Sequence, residues 1–74
     1  MDRVHVSSKH LESVGYDPLN RLLEIRFLDG SIYLYKNVPE ALFKGLMSAS
    51  SKGTFFRDKL RNNPMYPSVK VNNL

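Results

Sequence analysis

Between Leu22 and Leu28 apolar and charged residues alternate, with Leu23, Ile25 and Phe27 set against Glu24 and Arg26. That is the pattern of a strand buried on one side only. Asp29-Gly30 then supplies a turn, and Ser31 to Tyr35 returns as a second strand. Upstream, Leu11 to Tyr16 alternates Val14 and Tyr16 around Gly15, then stops at Asp17-Pro18-Leu19-Asn20, a turn in which proline presets φ at the second position. These segments predict a three-stranded antiparallel meander. Val4-His5-Val6 alternates too, but two apolar positions define little, so it is kept as an optional extra short N-terminal strand.

The hairpin loop decides which face the tyrosines take, because a shift of one residue moves every side chain to the other side. A two-residue loop at Asp29-Gly30 pairs Ile32 and Leu34 with the apolar face of the preceding strand and leaves Tyr33 and Tyr35 beside Arg26 and Glu24. A three-residue loop, Leu28-Asp29-Gly30 with Gly30 left-handed in a bulge, pairs Ile25 with Tyr33 and Leu23 with Tyr35. The three-residue loop is preferred, since glycine after aspartate suits that left-handed position.

Helical spacing begins after Asn37-Val38-Pro39-Glu40, where Asn37 is the expected cap, Pro39 is tolerated in the first turn and Glu40 stands as a capping-box partner. Leu42, Phe43, Leu46 and Met47, then Ala49 or Ser50, form an apolar stripe, and Gly45 within it marks close packing on the sheet. Ala49-Ser50-Ser51 reads as a break, with Ser51 capping a second short helix through Phe55, Phe56 and Leu60 to about Arg61. The expected fold is therefore α+β, in the order β-β-β-α-α, with two short helices packed on one face of the meander. Residues 1–62 are expected as the domain and 63–74 as a C-terminal tail, loosely docked or flexible. Within the tail, Val69-Lys70-Val71 is strand-like and suited to pairing with a sheet edge, its own or a partner's.

At 74 residues the chain fits one domain with little room for a large internal pocket. It has no cysteine, which removes disulfides, thiolate chemistry and cysteine-based zinc sites and suits a reducing compartment. No apolar signal core opens it and no stretch spans a bilayer, so a cytoplasmic protein without membrane contact is expected. The formal charge of +4 is unevenly spread: five basic against six acidic residues up to Glu40, then six basic against one acidic, about +5 in the second part. Such a basic half fits an anionic partner such as nucleic acid, or a solubilising surface.

Several joined pieces carry a family resemblance. They are Val6-Ser7-Ser8, Val14-Gly15-Tyr16-Asp17, Leu23-x-Ile25-x-Phe27-x-x-Gly30 leading to Tyr33-x-Tyr35, Val38-Pro39, and Ala49-x-Ser51-x-Gly53-x-x-Phe56. In this order the chain resembles the KTSC family, the short domain found at the C-terminus of some lysyl-tRNA synthetases and as free-standing bacterial proteins. The resemblance spans most of residues 6–60. It implies a compact sheet-plus-helices module, and it brings RNA binding as a suggested role. No synthetase domain precedes the module in this sequence, so tRNA is not carried over as the ligand, and an accessory protein of a bacterium or mobile element is equally compatible. Arg57 follows Phe56 where a small polar residue such as asparagine is expected of the family, so its charge lies outside the shared pattern.

Binding of single-stranded nucleic acid needs cations for phosphates and flat rings for unpaired bases. Lys52, Arg57, Lys59 and Arg61 cluster in and around the second helix, Arg57 and Arg61 being spaced i,i+4, and Tyr33 and Tyr35 supply rings. Tyr33 and Tyr35 either stack on bases or pack within the sheet, and the helix and the tyrosine face need not adjoin. Ser8, His10 and Glu12 would share one side of a strand, yet residues so close on one strand seldom aim at each other and no oxyanion loop accompanies them, so no enzyme is expected. His5 and His10 lack a third metal ligand at suitable spacing, and no phosphate-binding glycine loop is present, so neither metal nor cofactor is expected. The expected function is that of a small non-enzymatic binding module for RNA or single-stranded nucleic acid. The alternative is a protein-interaction module using Ile32 and Leu34, or the tail residues Met65, Tyr66, Val69 and Val71, as contact surface.

Overall fold

Strand pairing follows the alternation and adds to it. In the computed structural model, which describes residues 3–6 and 10–71, the elements run β1 (Arg3–His5), β2 (Leu11–Asp17), β3 (Leu22–Phe27), β4 (Ile32–Tyr35), α1 (Glu40–Ser48), α2 (Lys52–Lys59) and β5 (Ser68–Val71). All five strands form one antiparallel sheet in the order β1-β2-β3-β4-β5. The α+β class stands, and the three-stranded meander is corrected to five strands. The additions are the optional N-terminal strand, one residue earlier than its alternation placed it, and the strand-like Val69-Lys70-Val71 segment extended by Ser68, recruited because each edge of the central meander offers unpaired backbone N–H and C=O groups. The segment read as a tail thus contributes β5, laid against β4. β1 is further held by an ion pair from Arg3 Nε to Glu24, a carboxylate buried on β3.

The hairpin between β3 and β4 has the three-residue loop. Leu23 pairs with Tyr35 and Ile25 with Tyr33, Gly30 adopts φ 92°, and Phe27 N–H donates to Ser31 O at 2.9 Å. In β2, Leu11 pairs with Phe27 but Ser13 with Arg26, so Glu12 is an extra residue in a bulge. The bulge lets Leu11 and Val14, three positions apart, both reach the helix-covered face, where each is buried.

α1 departs from its expected start. Pro39, not Asn37, is its N-cap and no side chain caps it, while Asn37 takes a left-handed φ of 63° that turns the chain out of β4. Leu42 and Phe43 N–H groups reach Pro39 O instead, at 3.0 and 3.3 Å. α2 starts as expected: Ser51 Oγ accepts from Thr54 N–H at 3.4 Å and donates to Thr54 Oγ1 at 2.9 Å. It ends earlier, at Lys59 with Leu60 as its C-cap, which leaves Arg61 in the following turn. Gly45 meets α2 and not the sheet, since a Cβ built there would lie 3.1 Å from the Phe55 ring.

Both helices cover one face. Leu46 of α1 and Phe56 of α2 join Leu11, Val14, Leu23, Ile25, Tyr35, Val38 and Leu60 in the core. Tyr16 closes one end, stacking on Phe43 at 4.7 Å and donating its hydroxyl to Val38 O at 2.6 Å. The other face is free of helices. There the register aligns Arg3, Glu24 and Arg26, the last ion-paired to Glu12 at 2.7 Å, with Ile32, Leu34, Val69 and Val71.

Candidate functional site

The Ser51 cap, the three-residue hairpin loop and β5 together shape one groove. Ser51 fixes where α2 begins, so Lys52, Gly53 and Thr54 line the groove at one end and Arg57 and Arg61 further along. The hairpin loop puts Tyr33 and Tyr35 on the same side of the sheet as Phe27, facing α2. The groove measures about 990 Å³ and is also lined by His10, Asp29 and Ser68.

Its floor is a chain of edge-to-face rings. Tyr33 meets Phe27 at 5.7 Å, Phe27 meets Phe56 at 5.4 Å, and Phe56 meets Tyr35 at 5.4 Å. Such pairs add roughly 0.5–1.5 kcal/mol beyond their burial and hold each ring's tilt. Tyr35 is only 5% exposed, so its ring belongs to the floor's support, while Tyr33 and Phe27 are half-buried and keep surface toward the groove. Burial, with a smaller contribution from Tyr33, pushes the Tyr35 hydroxyl up to about 12 against an opposing effect of Arg61. It is therefore a neutral hydroxyl at any ordinary pH.

The cationic candidates divide. Lys52, Arg57 and Arg61 line the groove together with both tyrosines, so the helix and the tyrosine face do adjoin. Lys59 is exposed on α2 outside the groove lining. Lys52 Nζ donates to Ala49 O at 3.2 Å, and Arg57 lies 3.6 Å from Asp58, an exposed contact of small energetic weight. The guanidinium of Arg57 thus has most of its donors open to a ligand.

Residues weighed for catalysis or metal binding are dispersed. Ser8, and with it Ser7 of the first motif piece, lies outside the described residues. Glu12 turns to Arg26 on the open face, whereas His10 lines the groove. His5 pairs with Ser13 on the open face, so the sheet separates it from His10. Among the described residues, no group of three or more His, Asp or Glu gathers as a metal cluster, and no helix is long and apolar enough to cross a membrane.

Reading the sequence alone missed His10, Gly53 and Ser68 as groove residues. A signal existed for Gly53: glycine at the second position of a serine-capped helix leaves space, here filled by His10, whose Cδ2 would stand 2.8 Å from an added Cβ. Ser68 had none, because its place follows from the pairing of β5.

Comparison with known proteins converges on one family. The chain is 41% identical over 56 residues to an uncharacterized protein of Stutzerimonas stutzeri, covering 76% of this chain and 79% of that one. It is 44% identical over 50 residues to a protein of Tsukamurella paurometabola, covering 68% and 75%. The crystal structure of a KTSC domain protein from Yersinia pestis is similar with a TM-score of 0.88 and 42% identity, covering 96% of this chain and 97% of that one. The KTSC domain model itself matches residues 7–66, the segment that builds the sheet from β2 to β4, both helices and the aromatic floor, and the chain belongs to the KTSC domain family.

Proposed function

We propose that this chain is a non-enzymatic binding module that takes RNA or another single-stranded nucleic acid in the groove between α2 and the sheet. The observation that carries the reading is the junction of Lys52, Arg57 and Arg61 with an aromatic floor in one open groove. Cations neutralise phosphates and release counterions, and an exposed ring offers a stacking surface worth about 1–3 kcal/mol per base. On this reading Tyr33 with Phe27 meets bases, Tyr35 holds the floor beneath them, and Lys59 contributes only to the general field. Dispersal of His10, Glu12 and His5 supports binding over catalysis.

Fluorescence anisotropy with labelled mixed-sequence RNA and DNA oligomers, repeated from about 50 to 200 mM salt, tests it. The three phosphate contacts on the α2 side contribute about −2 to the log–log salt slope, at roughly 0.7 per contact for single strands. Substituting Arg57 and Arg61 together by alanine is expected to weaken binding across sequences and to lower the slope by about 1.4, while Lys59→Ala changes it little. Absence of saturable binding at low salt overturns the reading.

One observation favours a protein partner as the second reading. The register brings Leu34, Val69 and Val71 onto one side of β4 and β5 beside a buried Ile32, and Val69 is 47% exposed there. An apolar strip beside an open sheet edge fits strand addition by a peptide.

A further inference from the structure

The two strands that flank the floor carry different chemistry. On β4 the groove-facing residues are Tyr33 and Tyr35, and directly across on β5 they pair with Lys70 and Ser68. Directly paired residues of an antiparallel ladder project to the same face. Ser68 indeed lines the groove with both tyrosines, which puts the exposed Lys70, itself just outside the lining, on the same side of the sheet and paired with Tyr33. Asp29 lies at this end too. Its carboxylate accepts from Ser31 N–H at 2.9 Å and Ser31 Oγ at 2.6 Å, and its acidity is raised chiefly by that hydroxyl and, in smaller part, by the charge of Lys70.

We infer that Lys70 forms a second cationic rim of the groove, so that the ligand is a single strand lying across the sheet with a run of phosphates on the α2 side, a base over Tyr33 and Phe27, and the next phosphate on Lys70. The inference rests on the nucleic-acid reading above and makes it narrower. A ligand held from both sides needs two phosphates flanking an unstacked base, which a single strand presents and a duplex does not. Lys70 lies in β5, outside residues 7–66 of the family match, so this contact is contributed by the C-terminal strand and not by the shared pattern. Asp29 opposes it: a carboxylate at the same end repels a phosphate, and Lys70 offsets that repulsion.

Two substitutions with opposite expected signs test the arrangement, using the full chain and a labelled ten-nucleotide single-stranded RNA of mixed sequence in anisotropy titrations. Lys70→Ala is expected to weaken binding several-fold at low salt and to lower the salt slope by about 0.7, one single-strand phosphate contact. Asp29→Asn keeps an oxygen to accept from Ser31 and is expected to tighten binding about two-fold or more by removing the like charge. A hairpin duplex of the same composition is expected to bind more weakly than the single strand. If Lys70→Ala behaves like Lys59→Ala while loss of Arg57 and Arg61 still weakens binding, the second rim is overturned and the groove reading stands. Unchanged affinity in Asp29→Asn counts against the rim in the same way, and failure of the unsubstituted chain to bind overturns both.

Discussion

At the scale of single residues, Tyr35 and Gly53 show how a motif position serves packing first. Tyr35 is buried against Phe56, so Tyr35→Ala is expected to cost about 3–5 kcal/mol. A chain of this size has on the order of 4–11 kcal/mol in all, and urea denaturation should show the loss directly. Tyr35→Phe keeps the ring and separates the hydroxyl. Since the folded chain holds that proton to about 12 while an unfolded tyrosine releases it near ~10, the unfolded state binds fewer protons in between. Stability is thus fully present below the unfolded value and falls as pH rises from there toward about 12. Thermal unfolding across that range should show a shallower alkaline decline in Tyr35→Phe, with Tyr16, also raised by burial, contributing to what is left. Gly53→Ala introduces a Cβ 2.8 Å from the His10 ring, so the ring must move. A changed His10 imidazole environment in NMR spectra, with α2 otherwise intact, is the expected result.

Among elements, α2 depends most on one side chain. Ser51 is its N-terminal side-chain cap, and with eight residues the helix is too short to persist without tertiary contacts and a good start. Ser51→Ala is expected to destabilise the fold by about 1 kcal/mol, read as a drop of roughly 4–8 °C in Tm. Because α2 carries Lys52 and Arg57, the same substitution should weaken oligonucleotide binding without removing any groove cation. α1 behaves differently. It begins at Pro39 without a side-chain cap, and Leu46, fully buried, anchors it. Asn37→Ala therefore removes no cap; its expected cost is that of a left-handed φ on a residue with Cβ, about 1 kcal/mol.

For the whole molecule, β5 has two consequences. It covers the outer edge of β4, and it brings Ser68 and Lys70 to the groove side of the sheet. Ending the chain after Pro67 uncovers the β4 backbone between Ile32 and Tyr35. A loss of order 2 kcal/mol is expected, since each ladder hydrogen bond contributes about 0.5–1.5 kcal/mol net. Thermal unfolding gives the size of the effect, and size-exclusion chromatography gives its other expected sign, concentration-dependent self-association through the new edge. An unchanged melting temperature would show that β5 contributes nothing to the fold.

Local alternation determined β2, β3 and β4, and the Asp29-Gly30 pair determined their three-residue hairpin loop, because a glycine tolerant of φ 92° selects one loop length and one loop length selects the face of Tyr33 and Tyr35. Ser51 likewise announced α2 through a short-range hydrogen bond. The KTSC pattern was legible for the same reason: Gly30, Ser51, Gly53, Tyr35 and Phe56 each meet a local or close-packed requirement that only a few residue types satisfy. Pairing at a distance was not legible. Three residues of β1 and four of β5 alternate enough to read as strand-like but too briefly to name a partner, and their place was decided by free edges on the central meander. The bulge at Glu12, the left-handed Asn37 and the meeting of Gly45 with Phe55 also depended on partners far along the chain. So did the groove itself: Arg57 and Tyr33 are 24 positions apart in sequence. Only packing of α2 over Phe27 and Tyr35 brought charge and rings to one place, because burial of Phe56 fixes the helix there.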